Sequence, residues 1–418
     1  MDGKNVLFFI FRLHGGGAER VVSNLSIDLA GKYNIRIAVF DKLDKQYLHQ
    51  GELIKINTPY SDDPAGNGWF IRSYRLWFLV RELRRIKRLH RIDTSISFGE
   101  QANIVNLLAG GKGRTILSVR TLLSTEMKSA PKMAVLRAFI KNLYNRADQI
   151  VVPSKMAGED LSRHFNVLRE KIKVIYNYVE PARISAAAEE KLDDPLLEEL
   201  FSRPILLNVG RITPAKGQWL LLEMMPKILE RYPDWKLVII GEAEKKEKLM
   251  RQLVAKARQL GLDVYDGSGA WPARLDAHVY FLGYQPNPYR YMRRSRLLLF
   301  PSVFEGFPNT LLEAMQTGLP VIAADCQSGP REIMAPDSDL LQRITKKEIT
   351  PYGILCPPLA TANIFDEIPL ALTAEWLSAL FMVLDDNDLR QSMIHNGLQR
   401  VKDFDKQTIL RSWQESLA

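Results

Sequence analysis

The sequence predicts an α/β protein built from two Rossmann-like domains. Short apolar runs alternate with longer runs of helical periodicity, which is the pattern of repeated βαβ units in a parallel sheet. Glycine-containing turns connect a strand to a helix at residues 11–20 in one half of the chain and at 209–218 in the other. At 418 residues the chain is also too long for one ordinary core, so we expect two domains.

Composition and cysteine usage indicate the class of protein. Hydrophobic residues make up 46% and charged residues 25% of the chain, which is ordinary for a globular protein. The two cysteines, Cys326 and Cys356, are too few for a disulfide framework and favour a reducing compartment. No run of about 18 uncharged apolar residues occurs, and the first residues lead into a strand instead of a signal peptide. We therefore expect a cytoplasmic protein.

Positive charge is concentrated in the first half of the chain. The net charge is +9; residues 1–183 hold 30 Lys and Arg against 17 Asp and Glu, whereas the remainder holds 27 against 31. Such asymmetry favours an anionic partner for the first half, either a membrane surface or a nucleic acid. No RNA-recognition motif is visible, so we expect no nucleic-acid partner.

The first predicted strand, at residues 5–11, leads into a glycine-rich turn. Gly15, Gly16 and Gly17 precede a helix whose apolar side includes Val21 and Leu25. Successive glycines at such a turn expose N–H groups and let a ligand approach the backbone closely. A tight turn without a ligand is the alternative interpretation. Further strands are predicted at residues 35–40, 94–97, 114–119 and 149–152, with helices between them.

Residues 69–93 form a predicted basic amphipathic helix. Its apolar stripe should face the core, while basic residues crowd the other positions with Glu82 opposing them. The basic face and two aromatic pairs exceed what packing requires, so we predict contact with an anionic membrane surface. The candidate contact residues are Trp69, Phe70, Trp77, Arg81, Arg84, Arg85 and Arg88. A solvated helix face is the alternative.

The domain boundaries follow from changes in composition. We expect a first domain at residues 1–183, an Ala/Glu/Asp-rich linker at 184–203 and a second domain at 204–400. Residues 401–418 should end in a helix that packs back on the first domain. A loop with two glycines and a proline, residues 265–274, is expected as an insertion in the second domain.

The first strand of the second domain, at residues 205–209, leads into a turn that carries two cations. Gly210 and Gly217 flank Arg211 and Lys216, and a helix is predicted directly afterwards. Arginine offers a planar fork of donors and lysine a point charge. The pair is therefore well placed to neutralise a diphosphate.

Residues 300–322 show the order strand, loop, helix, strand. The strand stops at Pro301, and Pro308 to Thr310 supply helix start signals. In an open parallel sheet, this order puts the loop and the helix start at the carboxyl edge, where ligands bind. Free N–H groups at a helix start suit an anion such as a phosphate.

Two carboxylates, Glu305 and Glu313, bracket that helix start. Each can accept hydrogen bonds from sugar hydroxyls. The alternative is that neither carboxylate binds a ligand: Glu313 completes a capping box with Thr310, and Glu305 is a solvated loop residue.

These two motifs together resemble the family-four retaining glycosyltransferases of the GT-B fold. Enzymes of that family carry a Val-Gly-Arg…Lys-Gly turn and a Glu-x7-Glu segment in their second domain, and this chain has both, at 209–217 and 305–313. The resemblance covers nearly the whole chain. It implies two Rossmann-like domains that face an interdomain cleft. It also implies retaining transfer of a sugar from a nucleotide sugar, with a UDP-sugar favoured and a GDP-sugar as the alternative.

The resemblance also implies roles for individual residues. Arg211 and Lys216 would stabilise the departing diphosphate and Glu305 would orient the sugar, with no metal or other cofactor. The remaining donor-binding residues that it implies are Gly16, Gly17, Gly210, Tyr284, Phe307, Asn309, Thr310 and Glu313. Many relatives place a histidine after the strand at 114–119, where this chain has Arg120. We take Arg120 as an acceptor-side candidate, with a structural ion pair as the alternative.

The expected acceptor is a polyprenyl-diphosphate-linked saccharide. Residues 305–310 and 325–332 look most like enzymes that extend lipid-linked polysaccharide or glycan precursors. A lipid-linked acceptor would explain the basic first domain and would place the protein peripherally on the inner face of the membrane. The competing hypotheses are a nucleotide-sugar epimerase of the same fold and a non-catalytic scaffold.

Overall fold

In the computed structural model the chain divides into two compact units. One unit comprises Met1–Asn177 with Gln407–Ala418, and the other comprises Tyr178–Lys406. The structure describes residues 3–13, 16–40, 47–57, 69–126, 131–243, 248–267, 275–360, 363–364 and 366–418.

The first unit alternates strands with helices. Its elements are β1 (Asn5–Ile10), α1 (Gly17–Leu29), β2 (Asn34–Val39), β3 (Glu52–Lys55), α2 (Trp69–Leu89), β4 (Thr94–Phe98), α3 (Glu100–Ala109), β5 (Arg114–Ser118), α4 (Leu123–Glu126), α5 (Pro131–Leu143), β6 (Gln149–Val152), α6 (Lys155–Phe165) and β7 (Ile172–Val174). The strands form one sheet in the order β3-β2-β1-β4-β5-β6-β7, and every pair is parallel. The chain runs outward from β1 to β3 and then restarts at β4 on the other side of β1. The strand order therefore reverses between β1 and β4.

Burial on both faces explains the composition of the central strand β1. Val6, Leu7, Phe8 and Phe9 are all fully buried. A parallel strand covered by helices on both faces is a near-continuous apolar run and does not alternate with polar residues. The apolar stripe of α2 packs into the same core, since Leu79, Leu83 and Ile86 are buried in one cluster with Leu7 and Phe9.

The last helix, α16 (Lys406–Leu417), belongs almost entirely to the first unit. Trp413 is buried, and its ring lies 6.3 Å from the ring of Phe98. Lys173 also donates to Glu415 at 3.0 Å. The preceding residues, 401–406, lie in the second unit, so the boundary falls several residues later than the expected 401.

The second unit holds the remaining elements. They are α7 (Pro181–Ala188), α8 (Pro195–Ser202), β8 (Ile205–Val209), α9 (Gln218–Arg231), β9 (Lys236–Ile240), α10 (Lys248–Gln259), β10 (Val264–Tyr265), β11 (Val279–Phe281), α11 (Tyr289–Arg294), β12 (Leu297–Phe300), α12 (Asn309–Gln316), β13 (Val321–Ala324), α13 (Pro330–Met334), β14 (Glu348–Thr350), β15 (Gly353–Cys356), α14 (Leu370–Asp385) and α15 (Asn387–Val401). The sheet order is β10-β11-β9-β8-β12-β13-β15-β14. All pairs are parallel except the edge pair of β14 with β15. Two mostly parallel sheets with intervening helices confirm the predicted fold class.

The segment expected to be a linker, residues 184–203, lies inside the second unit. It forms α7 and α8, whose apolar residues Ile184, Leu197 and Leu200 are buried. The residues between α7 and α8 bind α11 through its residue Arg290. The Arg290 guanidinium donates to the Lys191 carbonyl at 2.9 Å and to the Asp193 carboxylate at 2.8 Å. The Ala/Glu/Asp-rich composition suggested a linker because these partners lie about a hundred residues away in sequence.

Candidate active site

The second unit has a topological switch point between β8 and β12. The strands β9, β11 and β10 lie in that spatial order on one side of β8, while β12, β13 and β15 lie on the other side. Ligands of open α/β sheets bind outside the carboxyl ends of the strands at such a point. The loops after β8 and β12 are those that carry the two motifs recognised in the sequence.

The loop after β8 is pressed against the end of β12. Gly217 has φ +65°, and a Cβ there would lie 2.2 Å from the Pro301 carbonyl oxygen, so only glycine fits. Val303 donates its N–H to the Ala215 carbonyl at 2.8 Å. The buried Gln218 side chain donates to the carbonyl of Arg211 at 3.1 Å. These contacts fix the backbone on both sides of Lys216.

Lys216 and Glu305 form an ion pair across the switch point. The Lys216 ammonium donates to Glu305 Oε1, and the two side chains are 20% and 11% exposed. The ammonium also lies 5.1 Å from the centre of the Phe300 ring. Arg211, from the same loop as Lys216, is exposed at the surface. The structure thus brings together one cation and one carboxylate that sequence reasoning had assigned to separate roles.

Glu313 lies on α12, about one turn after the first helical residue Asn309. It is only 7% exposed and accepts a hydrogen bond from the Tyr289 hydroxyl at 3.2 Å. The helix begins at Asn309 after the N-cap residue Pro308, and no side chain caps it. The capping-box alternative is therefore wrong, because Thr310 lies inside the helix and not at its N-cap position. Tyr289 was missed from the sequence, since it lies 24 residues away on a different helix.

The rest of the loop before α12 contributes backbone at the candidate site. Phe307 is 7% exposed, and its ring packs 5.5 Å from that of Phe404, so its side chain belongs to the core. Asn309 and Thr310 form the first turn of α12 and are partly exposed. Gly210, at the end of β8, donates its N–H to the Ile240 carbonyl at 2.9 Å.

Tyr284 follows β11 and presents an exposed aromatic ring. It is 54% exposed, which leaves the ring accessible for stacking. The neighbouring Gln285 donates to the Leu282 carbonyl at 2.9 Å and accepts from the Tyr291 hydroxyl at 2.9 Å. The insertion expected at 265–274 lies largely outside the described residues, which stop at Gly267 and resume at Leu275.

In the first unit, the glycine-rich turn follows β1 at the switch between β1 and β4. Gly16 is the N-cap of α1, and a Cβ at this position would lie 2.1 Å from the Glu19 carboxylate. Glu19 is itself held by Arg12, whose Nε lies 3.1 Å from it. A Cβ at Gly17 meets no described atom within 4 Å. Gly16 has an extended backbone and would meet only the movable end of the Glu19 side chain, so contacts within the unit require glycine at neither position.

Arg120 follows β5 at the carboxyl edge of the first sheet. Its guanidinium donates to the side-chain oxygen of Asn177. Since asparagine is neutral, this contact is a hydrogen bond and not an ion pair. Burial lowers the pKa of Arg120 to about 10. Its Nη1 atom is buried and has no hydrogen-bond partner among the described residues. The guanidinium therefore has donor capacity left for a ligand.

The candidate membrane residues on α2 fall into distinct groups. Trp77 is 53% exposed, and the Arg81 guanidinium lies 5.4 Å from its ring centre. Arg85 and Arg88 are exposed, and Arg85 also pairs with Glu82 at 2.8 Å. The side chains of Trp69 and Phe70 lie outside the described part of the structure.

Arg84 differs from the other arginines of α2. Its guanidinium donates to the carbonyls of Ala109 and Leu108 at 2.8 and 2.9 Å, at the carboxyl end of α3. The neighbouring buried Lys87 donates to the Gly110 carbonyl at 2.9 Å. Cations at a helix C-terminus satisfy its last carbonyls and oppose its dipole. Arg84 therefore has a role in packing α2 on α3 that its sequence spacing did not indicate.

The described ranges contain neither a membrane-spanning helix nor a cluster of metal ligands. None of the helices described is both long enough and apolar enough to cross a bilayer. Within the same ranges, no three His, Cys, Asp or Glu side chains are grouped so that they could hold a metal ion.

Sequence comparisons connect both halves of the chain to one kind of protein. Residues 15–183 match the family described as Glycosyltransferase Family 4, and residues 203–350 match Glycosyl transferases group 1. An uncharacterized glycosyltransferase of Methanocaldococcus jannaschii is 30% identical over 349 residues, which is 82% of each chain. A Campylobacter jejuni protein is 29% identical over 409 residues, 96% of each chain. It is named N-acetylgalactosamine-N,N'-diacetylbacillosaminyl-diphospho-undecaprenol 4-alpha-N-acetylgalactosaminyltransferase.

Comparison with solved structures supports the same fold. Anabaena HepE, solved in complex with UDP and glucose, superposes with a TM-score of 0.71 over 99% of each chain at 19% identity. WaaG, a glycosyltransferase involved in lipopolysaccharide biosynthesis, superposes with a TM-score of 0.63 over 95% of each chain. The GT-B fold expected from the sequence is confirmed.

Proposed function

Because the chain belongs to the family-four, group 1 retaining glycosyltransferases, we propose that it moves a sugar from a UDP-sugar to a lipid-linked saccharide. The observation that carries the proposal is the pairing of Lys216 with Glu305 at the switch point of the second sheet, on the loop that also carries Arg211. Ligands of such sheets bind at the switch point, which supports a nucleotide sugar at this place.

The departing UDP is the group that needs the most stabilisation. Negative charge develops on the diphosphate as the bond to the sugar breaks, and preorganised cations lower the energy of that state. Lys216 is fixed by the backbone contacts of Gly217, and Arg211 is exposed on the same loop. Both are proposed to contact the diphosphate, so no divalent metal or other cofactor is required.

Donor binding changes the partner of Glu305. In the structure this carboxylate accepts from Lys216. A diphosphate competes for the ammonium, which leaves a carboxylate oxygen able to accept hydrogen bonds from the hydroxyls of the transferred sugar. Glu305 is therefore proposed to orient the sugar.

The nucleoside end of the donor is assigned to the neighbouring elements. Glu313 is proposed to accept from the ribose hydroxyls, and Tyr284 to lie beside the base. Phe307, Asn309 and Thr310 would contribute backbone groups around the phosphates, and Gly210 would let the donor approach the backbone closely. Uridine is favoured because Anabaena HepE was solved with UDP and glucose. A GDP-sugar is the alternative donor.

The acceptor is proposed to be linked to a polyprenyl diphosphate. Support comes from the name of the Campylobacter relative, whose acceptor is a diphospho-undecaprenol saccharide. The first half of the chain is strongly basic. In the first unit, the buried Nη1 atom of Arg120 has no hydrogen-bond partner among the described residues. Arg120 is the candidate for the acceptor side, and the glycine-rich start of α1 at Gly16 and Gly17 is a candidate anion contact.

A lipid-linked acceptor requires contact with a membrane surface. The exposed residues Trp77, Arg81, Arg85 and Arg88 recur every three or four positions along α2 and so share one face of the helix. Basic residues near an anionic leaflet each contribute roughly 1 kcal/mol of attraction. We assign this face to peripheral binding on the inner side of the membrane.

The proposal is tested with full-length protein and a panel of UDP-, GDP- and ADP-sugars. Thermal shift identifies the nucleotide, and release of free nucleoside diphosphate with and without a polyprenyl-diphosphate saccharide measures transfer. UDP-sugars should stabilise the protein, the lipid acceptor should stimulate UDP release, and EDTA should leave activity intact. Conversion of one UDP-sugar into its epimer without UDP release would favour an epimerase. A strict divalent-metal requirement would contradict the proposed leaving-group chemistry.

A further inference from the structure

The turn between Glu305 and α12 rests on a second segment, residues 325–332, which the proposed chemistry does not use. We call residues 325–332 the supporting segment. Ser328 is 2% exposed, and its hydroxyl donates to the Gly306 carbonyl at 2.6 Å. Gly329 has φ +92°, and a Cβ there would lie 2.3 Å from Pro308 Cδ. The supporting segment therefore touches the turn at both Gly306 and Pro308, the residues that follow Glu305 and precede α12.

A buried charge network fixes the supporting segment itself. The Arg331 guanidinium is almost fully buried and donates to both carboxylate oxygens of Asp325, at 3.0 and 2.7 Å. It also donates to Glu348 at 2.8 Å and to the Ser338 hydroxyl at 3.1 Å. Bidentate pairs of this kind impose geometry as well as energy. Since breaking a buried pair leaves an uncompensated charge, the segment has little freedom to move.

We propose that Ser328 is a positioning residue that sets the place of the Glu305 carboxylate. Its hydroxyl binds the carbonyl of Gly306, the residue next to Glu305. The ion pair of Arg331 with Asp325 keeps the supporting segment, and therefore Ser328, in place. The inference rests on the proposed function, in which Glu305 orients the transferred sugar. Ser328 makes no contact with substrate in this role. It acts through the backbone.

The arrangement separates the sugar end of the donor from its nucleoside end. Ser328 supports the turn that carries Glu305, whereas Glu313 is held by a different side chain, Tyr289, from α11. Loss of the Ser328 hydroxyl should therefore misplace the sugar without changing nucleotide affinity. Loss of the Tyr289 hydroxyl should instead weaken nucleotide binding without misplacing the sugar.

The test compares full-length wild type with Ser328→Ala, Tyr289→Phe and a matched control, Ser26→Ala. Ser26 is fully buried, donates to the Ser23 carbonyl at 2.7 Å and accepts from the Gln50 N–H at 3.2 Å, so Ser26→Ala removes buried serine hydrogen bonds from the first unit. Calorimetry with UDP gives nucleotide affinity. The rate of UDP release from the best UDP-sugar of the panel gives turnover.

For Ser328→Ala we expect turnover to fall about tenfold while the Kd for UDP stays within about twofold, since one buried hydrogen bond is lost at a site that demands precise geometry. Tyr289→Phe should raise the Kd for UDP, and Ser26→Ala should change neither quantity. Ser328→Thr, which keeps the hydroxyl, should retain more turnover than Ser328→Ala.

Two results would overturn the inference while leaving the proposed function standing. One is full turnover in Ser328→Ala; the other is an equal loss of turnover and of UDP affinity, which indicates general loosening of the site. A wild-type protein that binds no nucleotide and releases none from any sugar of the panel would overturn both the inference and the proposed function.

Discussion

At the scale of single residues, the central contact is that between Lys216 and Glu305. Replacing Lys216 with Ala removes a cation from the proposed diphosphate site and leaves the mostly buried Glu305 carboxylate without this partner. Arg211→Ala removes a cation at an exposed position, where side-chain contacts are solvated and their loss costs little stability. The two variants should therefore differ in stability although they weaken the same step.

For both variants we expect kcat/KM to fall by the equivalent of about 2–4 kcal/mol of transition-state stabilisation, the usual cost of removing one preorganised donor. Only Lys216→Ala should also lower the melting temperature. Initial rates of UDP release and a thermal melt give both quantities, with Lys227→Ala, an exposed lysine paired to Glu230, as the control. Near wild-type turnover in either folded variant would show that the diphosphate assignment is wrong.

Lys87 supplies a prediction of pH dependence. Burial, with a smaller contribution from Arg84, lowers the pKa of Lys87 from 10.5 to about 7. Between these values the unfolded chain binds a proton that the folded chain does not, so the free energy of unfolding rises with pH. Below pH 7 both states carry the proton, and this residue adds no slope.

Lys87→Met removes this titration. Relative to the variant, wild type should gain about 1.4 kcal/mol of stability per pH unit between pH 8 and 10, and nothing below pH 7. Urea unfolding at pH 6, 8, 9 and 10 measures the difference, with the exposed Lys112→Met as the control. A difference that does not change with pH would show that the folded protein keeps Lys87 charged.

At the scale of elements, α2 combines two roles on different faces. Leu79, Leu83 and Ile86 are buried in the core, and Arg84 binds the end of α3. Trp77, Arg81, Arg85 and Arg88 remain on the exposed face. Membrane binding is therefore best tested on the last three arginines, without disturbing Arg84.

The triple variant Arg81→Gln, Arg85→Gln, Arg88→Gln should lose flotation with anionic liposomes at low salt and keep its affinity for UDP. The attraction decays over about one Debye length, so wild-type flotation should also weaken as salt is raised. Replacing three exposed cations of the second unit, Lys227, Arg251 and Arg258, with Gln removes the same charge as a control. If wild type fails to float at low salt, the exposed face of α2 is only solvated.

At the scale of the whole molecule, the proposed donor residues are concentrated in one unit. Arg211, Lys216, Glu305 and Glu313 all belong to Tyr178–Lys406. We expect a fragment of residues 178–406 to fold and to bind UDP more weakly than the full chain. Calorimetry measures both affinities, with Lys216→Ala in the fragment as the control. A folded fragment that fails to bind UDP would show that the first unit supplies essential contacts.

The sequence singled out part of the candidate site and missed the rest. Arg211, Lys216, Glu305 and Glu313 were singled out because each lies in a short motif whose spacing is visible along the chain. Tyr289 was not, since a lone tyrosine on a helix carries no motif of its own. Ser328 lies in the segment 325–332, whose resemblance to known enzymes gave this serine no role. The linker interpretation of 184–203 was wrong because the polar partners of that segment are distant in sequence.

The sequence by itself determined the α/β class, the GT-B fold and the glycosyltransferase family, because periodicity and motif spacing are local properties of the chain. Only the tertiary structure decided that Lys216 bonds Glu305, 89 residues away, and that Arg84 is bound to α3. The physical reason is the strand order. After β8 the chain forms β9, β10 and β11 on one side of the sheet before β12 pairs with the other side of β8, so the two loops become neighbours only once the sheet has formed.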